Sequence, residues 1–141
     1  MIFKGGERIE SSAHGSVITS LEMTKYNGTI VLFSGSHDFR LKAWSVDPQA
    51  NTLQQVDMKD VGVAINCLQM ANDEFLVAGT VTGDFVGWNL KLDATDKLPA
   101  HQNPITHVYR NQTVLISGDS LGGIQVRDST SFALLFEANP A

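Results

Sequence analysis

The chain has 141 residues, of which 43% are hydrophobic and 18% are charged, and its formal net charge is −5. This length and composition predict one folded domain and exclude a disordered chain. The mild acidity argues against nucleic acid or an anionic lipid surface as the main partner. The single cysteine, Cys67, excludes an internal disulfide and a thiolate zinc site, and we expect a buried, unreactive thiol in a reducing compartment.

Residues 1–12 are predicted to be an N-terminal segment that could form one extra outer strand. The first ten residues contain no apolar stretch of the roughly 7–15 residues that a secretory signal needs. No segment approaches the about 18 consecutive apolar residues of a membrane helix. We therefore expect a soluble protein of the cytoplasm or the nucleus, with no membrane partner.

Three segments then follow one template, over residues 13–59, 60–98 and 99–141. In each of them a short apolar run ends at a glycine, and a Trp or Arg follows that glycine nine residues later. The pairs are Gly35 and Trp44, Gly79 and Trp88, and Gly118 and Arg127. The spacing inside the units is constant while the period between them varies, which is typical of stacked repeats joined by surface loops.

Each repeat is predicted to contain four β-strands. Apolar runs such as Thr29 to Phe33 are too continuous for a strand with one face in water, so they indicate strands covered on both faces. Asn27-Gly28 is the clearest hairpin turn, because both residues tolerate positive φ. The outer strands are expected near 52–57, near Lys97 and at 132–137. With no helical apolar stripe in the chain, the fold class is all-β, with three four-stranded antiparallel units.

The repeats resemble the WD-repeat family of β-propellers, in which four-stranded blades of about 40–45 residues surround a channel. The resemblance implies a hydrogen-bonded set in each blade. A His precedes the inner strand, a Ser or Thr ends the second strand, an Asp lies in the following turn, and a Trp lies on the third strand. The first repeat has all four members: His14, Ser34, Asp38 and Trp44.

The other two repeats hold partial copies of this set. The second repeat keeps only the tryptophan, Trp88, and its remaining positions are Val61, Ala78 and Thr82. This predicts an apolar replacement for the polar set. The third repeat keeps the His and the Ser, as His101 and Ser117. At its Asp and Trp positions we expect Leu121 and Arg127.

None of these side chains predicts a catalytic site. His14, Ser34 and Asp38 are residue types of a hydrolytic triad, but the structural set already accounts for them. His101 and His107 could bind a metal only with ligands from distant parts of the chain. We expect no catalytic residue, no metal and no cofactor.

The resemblance implies that partners dock on the loops before the inner strands and on the turns between the second and third strands. The residues predicted at this surface are Ser16, His37, Phe39, Arg40, Val81, Thr82, Asn103, Pro104, Ser120 and Leu121. Phe39 beside Arg40 is the predicted anchor of an interface. The alternative for Phe39 is packing on the neighbouring blade.

Three blades are too few to close a ring, because propellers have about four to eight. The sequence therefore predicts an incomplete propeller, closed by another chain, by a second copy giving six blades, or by missing sequence. The predicted function is a non-catalytic protein–protein interaction scaffold within a larger complex. Two alternatives stand beside it: a substrate-receptor or scaffold part of a ubiquitin ligase, and a propeller hydrolase or metal-dependent enzyme.

Overall fold

A computed structural model describes residues 12–139 together with the backbone of two short strands at 2–4 and 7–9. Twelve strands of this described part form three four-stranded antiparallel sheets, and strand order in each sheet follows chain order. The predicted all-β class with three four-stranded antiparallel units is confirmed. The described residues include no helix long and apolar enough to cross a membrane.

We call the three sheets blades 1, 2 and 3. Blade 1 consists of β3 (Ile18–Tyr26), β4 (Thr29–Ser36), β5 (Arg40–Asp47) and β6 (Thr52–Asp60). Blade 2 consists of β7 (Ile65–Asn72), β8 (Phe75–Thr80), β9 (Asp84–Asn89) and β10 (Ala94–Pro99). Blade 3 consists of β11 (Ile105–Asn111), β12 (Val114–Asp119), β13 (Ile124–Asp128) and β14 (Leu134–Ala138). Strands β6 and β10 each end one residue beyond the predicted repeat boundary.

The tight turn between β3 and β4 lies where the sequence predicts it. Asn27 and Gly28 both adopt positive φ, at 50° and 78°. Two successive positive φ values define a type I′ turn, whose twist matches that of the strands it joins. The turn sets the register in which Tyr26 pairs with Thr29.

The N-terminal strands form a small sheet of their own. β1 (Ile2–Lys4) and β2 (Glu7–Ile9) pair antiparallel, with Ile2 opposite Ile9. Within the described part of the chain they join none of the three blades. The described residues of this segment therefore form two short strands that pair with each other, where the sequence suggested one outer strand.

The apolar side chains are buried between blades. The cluster between blades 1 and 2 includes Phe33, Leu41, Ala43, Ile65, Leu68, Met70, Leu76, Ala78, Val86 and Trp88. The cluster between blades 2 and 3 includes Cys67, Ala71, Val77, Phe85, Ile105 and Leu115. Along β8, Leu76 and Ala78 point to the first cluster and Val77 to the second, so this strand is covered on both faces, as its continuous apolar run predicts.

Candidate protein-interaction surface

A chain of side-chain hydrogen bonds crosses blade 1. The indole N–H of Trp44 donates to Ser34 Oγ at 2.9 Å. Ser34 Oγ lies 2.6 Å from His14 Nε2, and His14 Nδ1 lies 3.0 Å from an Asp38 carboxylate oxygen. Because a carboxylate only accepts, His14 donates from Nδ1 and receives the Ser34 hydroxyl at Nε2. All four side chains implied by the resemblance are therefore joined in one network.

Asp38 connects this network to the turn between β4 and β5. Its carboxylate also accepts the backbone N–H groups of Gly15 at 2.9 Å and Arg40 at 3.0 Å. Burial alone would raise the pKa of Asp38, but hydrogen bonds from Gly15, His14 and Arg40 outweigh it and hold this pKa below its ordinary value. The ionised carboxylate thus ties the entry loop of blade 1 to the turn that carries Phe39.

Blade 3 contains the same arrangement with a different acidic residue. His101 Nε2 lies 2.7 Å from Ser117 Oγ, and His101 Nδ1 lies 2.8 Å from Asp119. The sequence predicted Leu121 at the Asp position of this repeat, and therefore no carboxylate. That prediction was wrong, because Asp119 supplies the carboxylate. Asp119 follows its serine by two residues, whereas Asp38 follows Ser34 by four, because the carboxylate is placed on the strand end instead of in the turn. The hydrogen bond from the Gly123 N–H lowers the pKa of Asp119, whereas burial raises it. The hydrogen bonds that Asp119 accepts outweigh burial, so its pKa lies below the ordinary value.

Blade 2 has apolar packing at the His and Ser positions of the set, while Thr82 at the Asp position contacts the side chains of Thr80 and Asp84. Ala78 is fully buried, and Val61 packs against the same cluster. The Trp88 indole N–H donates to Asp93 Oδ1 at 3.1 Å, in the turn between β9 and β10. Trp88 therefore finds its acceptor outside the four positions that the resemblance implies, and only the structure identifies Asp93.

In blade 3, Arg127 stands at the tryptophan position. Its Nη2 donates to Gln125 Oε1 at 2.7 Å, and its Nη1 donates to the Phe132 carbonyl at 3.1 Å. Burial lowers the pKa of Arg127, and the nearby carboxylate of Glu137 partly opposes this effect. Arg127 thus links β13 to the turn before β14.

One end of the three blades carries the predicted partner residues. The β4–β5, β8–β9 and β12–β13 turns, together with the loops before β3, β7 and β11, form this end, which we call the turn face. Of the ten predicted residues, Asn103 and Pro104 are half-buried and the others are exposed: Ser16, His37, Phe39, Arg40, Val81, Thr82, Ser120 and Leu121. His37 also reaches blade 2, where its Nε2 lies 3.2 Å from Asn66 Oδ1. This contact joins the turn face of blade 1 to blade 2.

Phe39 has an unusual backbone conformation in its turn. Its φ is 74°, and the matching positions of blades 2 and 3 are glycines, Gly83 at 89° and Gly122 at 93°. An aromatic residue in this left-handed region costs about 1–2 kcal/mol relative to its usual conformations. The side chain remains 47% exposed. Phe39 therefore carries backbone strain without gaining the burial of a core residue.

The chemically reactive side chains are engaged in packing and hydrogen bonds. The Asp–His–Ser distances in blades 1 and 3 resemble those of a hydrolytic triad, but Ser34 and Ser117 are buried. Burial raises the pKa of Cys67 to about 11, so its thiol is protonated at neutral pH. Among residues 12–139, no three His, Cys, Asp or Glu side chains are grouped closely enough to hold a metal ion.

The lowered pKa of Asp38 predicts acid sensitivity. A carboxyl whose pKa is lower in the folded state stabilises the fold above its unfolded pKa, near 3.8, and this stabilisation is lost as the pH falls through the folded value. We expect the free energy of unfolding to be level from pH 7 to 5 and to fall below pH 4, measured by urea denaturation. Asp38→Asn should lower stability at pH 7 and flatten this decline. An equally steep decline in the variant would contradict the assignment.

Together the blades define a propeller-like all-β fold. No protein-family model matches the sequence, and no curated protein sequence matches it. Among solved structures the chain is similar to the computationally designed protein Ika8, with 28% identity and a TM-score of 0.66 over 89% of this chain and 37% of that one. The computationally designed protein Ika4 gives 25% identity and a TM-score of 0.69 over 94% and 78%. U3-55K gives 15% identity and a TM-score of 0.75 over 92% and 41%, a likeness that shows the fold alone.

The chain therefore spans well under half the length of Ika8 and of U3-55K.

Proposed function

We propose that this chain is a non-catalytic protein–protein interaction scaffold of the WD-repeat type, and that partners bind at its turn face. The propeller-like fold is compatible with this role. The hydrogen-bonded sets around His14 and His101 support it, because they fix the turns between the second and third strands. The proposed surface thus rests on rigid strands, which is how precise binding sites are built.

The observation that carries the proposal is the strained and exposed Phe39. The matching glycines, Gly83 and Gly122, adopt the same turn without strain. Folding alone would thus favour glycine at position 39 as well. Backbone strain of this kind collects at functional sites, where the surrounding structure maintains it. A half-exposed aromatic ring at such a position is suited to anchor a partner.

The surroundings of Phe39 indicate what kind of partner surface fits. Arg40 is exposed beside it, and the matching turns expose Val81 and Leu121. Aromatic and arginine side chains dominate the binding energy of many protein interfaces, and exposed aliphatic groups extend the apolar contact. The turn face therefore suits a protein segment that combines an apolar pocket for Phe39 with a carboxylate for Arg40.

The test is Phe39→Gly, which removes the ring but keeps the turn. We expect the thermal stability to stay the same or rise slightly, because glycine adopts φ 74° without strain. Wild type and variant are used as bait in a native extract, and captured proteins are quantified and then titrated as purified proteins. At least one partner should bind about 30-fold more weakly to the variant, the effect of losing a strong anchor.

Leu92→Ala is the matched control, since Leu92 is an exposed apolar residue outside the turn face. It should capture the same proteins as the wild type. Equal capture and equal affinities for Phe39→Gly and Leu92→Ala would contradict the proposal.

A further inference from the structure

The two junctions between blades repeat the same contact at matching positions. Gly35 of β4 lies against Ile65 of β7, where an added Cβ would be 2.7 Å from Ile65 Cγ2. Gly79 of β8 lies in the same way against Ile105 of β11, also at 2.7 Å. In each case a glycine on the second strand lets the isoleucine that begins the next inner strand pack directly on the backbone. The same glycine–isoleucine contact therefore joins blade 1 to blade 2 and blade 2 to blade 3.

Polar contacts repeat across the two junctions as well. Thr19 donates to the carbonyl of Ile65, and Asn66 donates to the carbonyl of Ile105. The Phe39 carbonyl in the β4–β5 turn accepts the backbone N–H of Val61 at 2.8 Å. The Gly83 carbonyl in the β8–β9 turn likewise accepts the backbone N–H of His101 at 2.8 Å. Each junction thus has an apolar contact flanked by one hydrogen bond from a side chain to a backbone carbonyl and one between backbone groups.

Blade 1 exposes one half of this junction. Its outward face, which we call the leading face, consists of Ile18, Leu21 and Met23. The matching residues of blade 2 are Ile65, Leu68 and Met70, so the two faces have the same three residue types in the same register. Ile18 is 43% exposed, whereas Ile65 is fully buried against blade 1. The leading face of blade 1 is therefore chemically equivalent to one that already packs on a blade.

Blade 3 exposes the other half. Its outward face, which we call the trailing face, consists of Tyr109, Ile116, Gly118, Ile124, Val126 and Phe136. Ile124 is 49% exposed, while the matching Leu41 and Phe85 of blades 1 and 2 are at most 1% exposed. Above Gly118 an added Cβ would meet no atom closer than Gly123 O at 3.9 Å. The trailing face thus retains the glycine and lacks the isoleucine that covers it in the other blades.

We propose that the trailing face of blade 3 binds the leading face of blade 1 of a second copy of this chain, and that two such junctions close a six-bladed ring. Ile18 of the second copy covers Gly118, and the Gly122 carbonyl accepts the N–H of residue 14. Two copies give six blades, within the usual range of about four to eight, whereas three copies would give nine. A two-fold dimer is also the commonest closed assembly of identical chains.

Sedimentation velocity and native mass spectrometry of the purified chain at 1–100 µM provide the test. We expect a species of twice the 15.3 kDa chain mass. Gly118→Val should fill the space for Ile18 and convert the dimer to a folded monomer, as should Ile18→Asp on the opposite face. Each dimer contains the junction twice, so a tenfold weakening at each junction gives about a hundredfold weaker dimerisation. Glu74→Val, an exposed apolar addition on the covered blade 2, should leave the dimer unchanged.

Mixing the two variants tests the direction of packing. Gly118→Val keeps an intact leading face and Ile18→Asp keeps an intact trailing face, so the mixture should recover one junction and form a 1:1 heterodimer. Circular dichroism establishes that each variant is folded. A folded wild-type monomer at 100 µM would overturn the proposal. A dimer that withstands Gly118→Val, or a mixture that stays monomeric, would overturn the head-to-tail arrangement.

Discussion

Replacing Trp88 with alanine is expected to lower the free energy of unfolding by about 3–5 kcal/mol, the usual loss for a large buried aromatic residue. Trp88 is 2% exposed, and its ring meets the Phe33 ring edge-on with centroids 5.5 Å apart. The Lys59 ammonium lies 5.5 Å from the indole centroid. The substitution therefore removes apolar burial, an aromatic contact and a cation–π contact at the junction of blades 1 and 2. Urea denaturation followed by circular dichroism measures the effect.

Leu92→Ala again provides the control for Trp88→Ala. Leu92 is a large apolar residue in the same blade, but it is exposed. Its loss should change the free energy of unfolding by less than about 0.5 kcal/mol. A loss below about 1 kcal/mol for Trp88→Ala would show that the junction of blades 1 and 2 is not packed as described.

Gly79→Val is expected to destabilise the fold by about 3 kcal/mol, the upper part of the range for overpacked cores. A Cβ at this position would lie 2.5 Å from Cys67 Sγ and 2.7 Å from Ile105 Cγ2. Both neighbours are buried, so the added side chain can be accommodated only if blades 2 and 3 move apart. Urea denaturation at several protein concentrations separates this effect from any contribution of association.

Gly118→Val is the matched control for Gly79→Val, because the two glycines occupy the same position in successive blades. Within one protomer the space above Gly118 is open, so valine should leave the unfolding free energy of the protomer unchanged or raise it slightly. Equal destabilisation by the two substitutions would contradict the difference between a covered and an open face.

The strands could be predicted from the sequence because the spacing between the glycine and the tryptophan of each hairpin repeats. Nine residues separate Gly35 from Trp44 and Gly79 from Trp88, and the structure places each pair on the second and third strands of one blade. The continuous apolar run of β8 correctly indicated a strand covered on both faces. The similar runs of β4 and β12 did not reveal that one face of blade 1 and one face of blade 3 have no neighbouring blade among residues 12–139, since the residue pattern is the same.

The candidate site was harder to predict from the sequence, because it depends on the geometry of the turns. Aligning by position led to Leu121, whereas Asp119 reaches His101 from two residues earlier. The carboxylate that receives the Trp88 N–H, Asp93, lies in a loop of variable length outside the repeat template. The strain at Phe39 could have been inferred, because the aligned turns have glycine at the positions of Gly83 and Gly122.

The location of both apolar clusters between blades has a consequence for local opening. In an array of stacked units, stability is approximately the sum of the units and their nearest-neighbour junctions. In the described part of a single protomer, blade 2 has two junctions, while blades 1 and 3 each have one. Partial unfolding therefore begins at the two terminal blades and reaches β7 and β8 last. A closed ring removes this gradient, since every blade then has two neighbours and none can open without breaking two junctions.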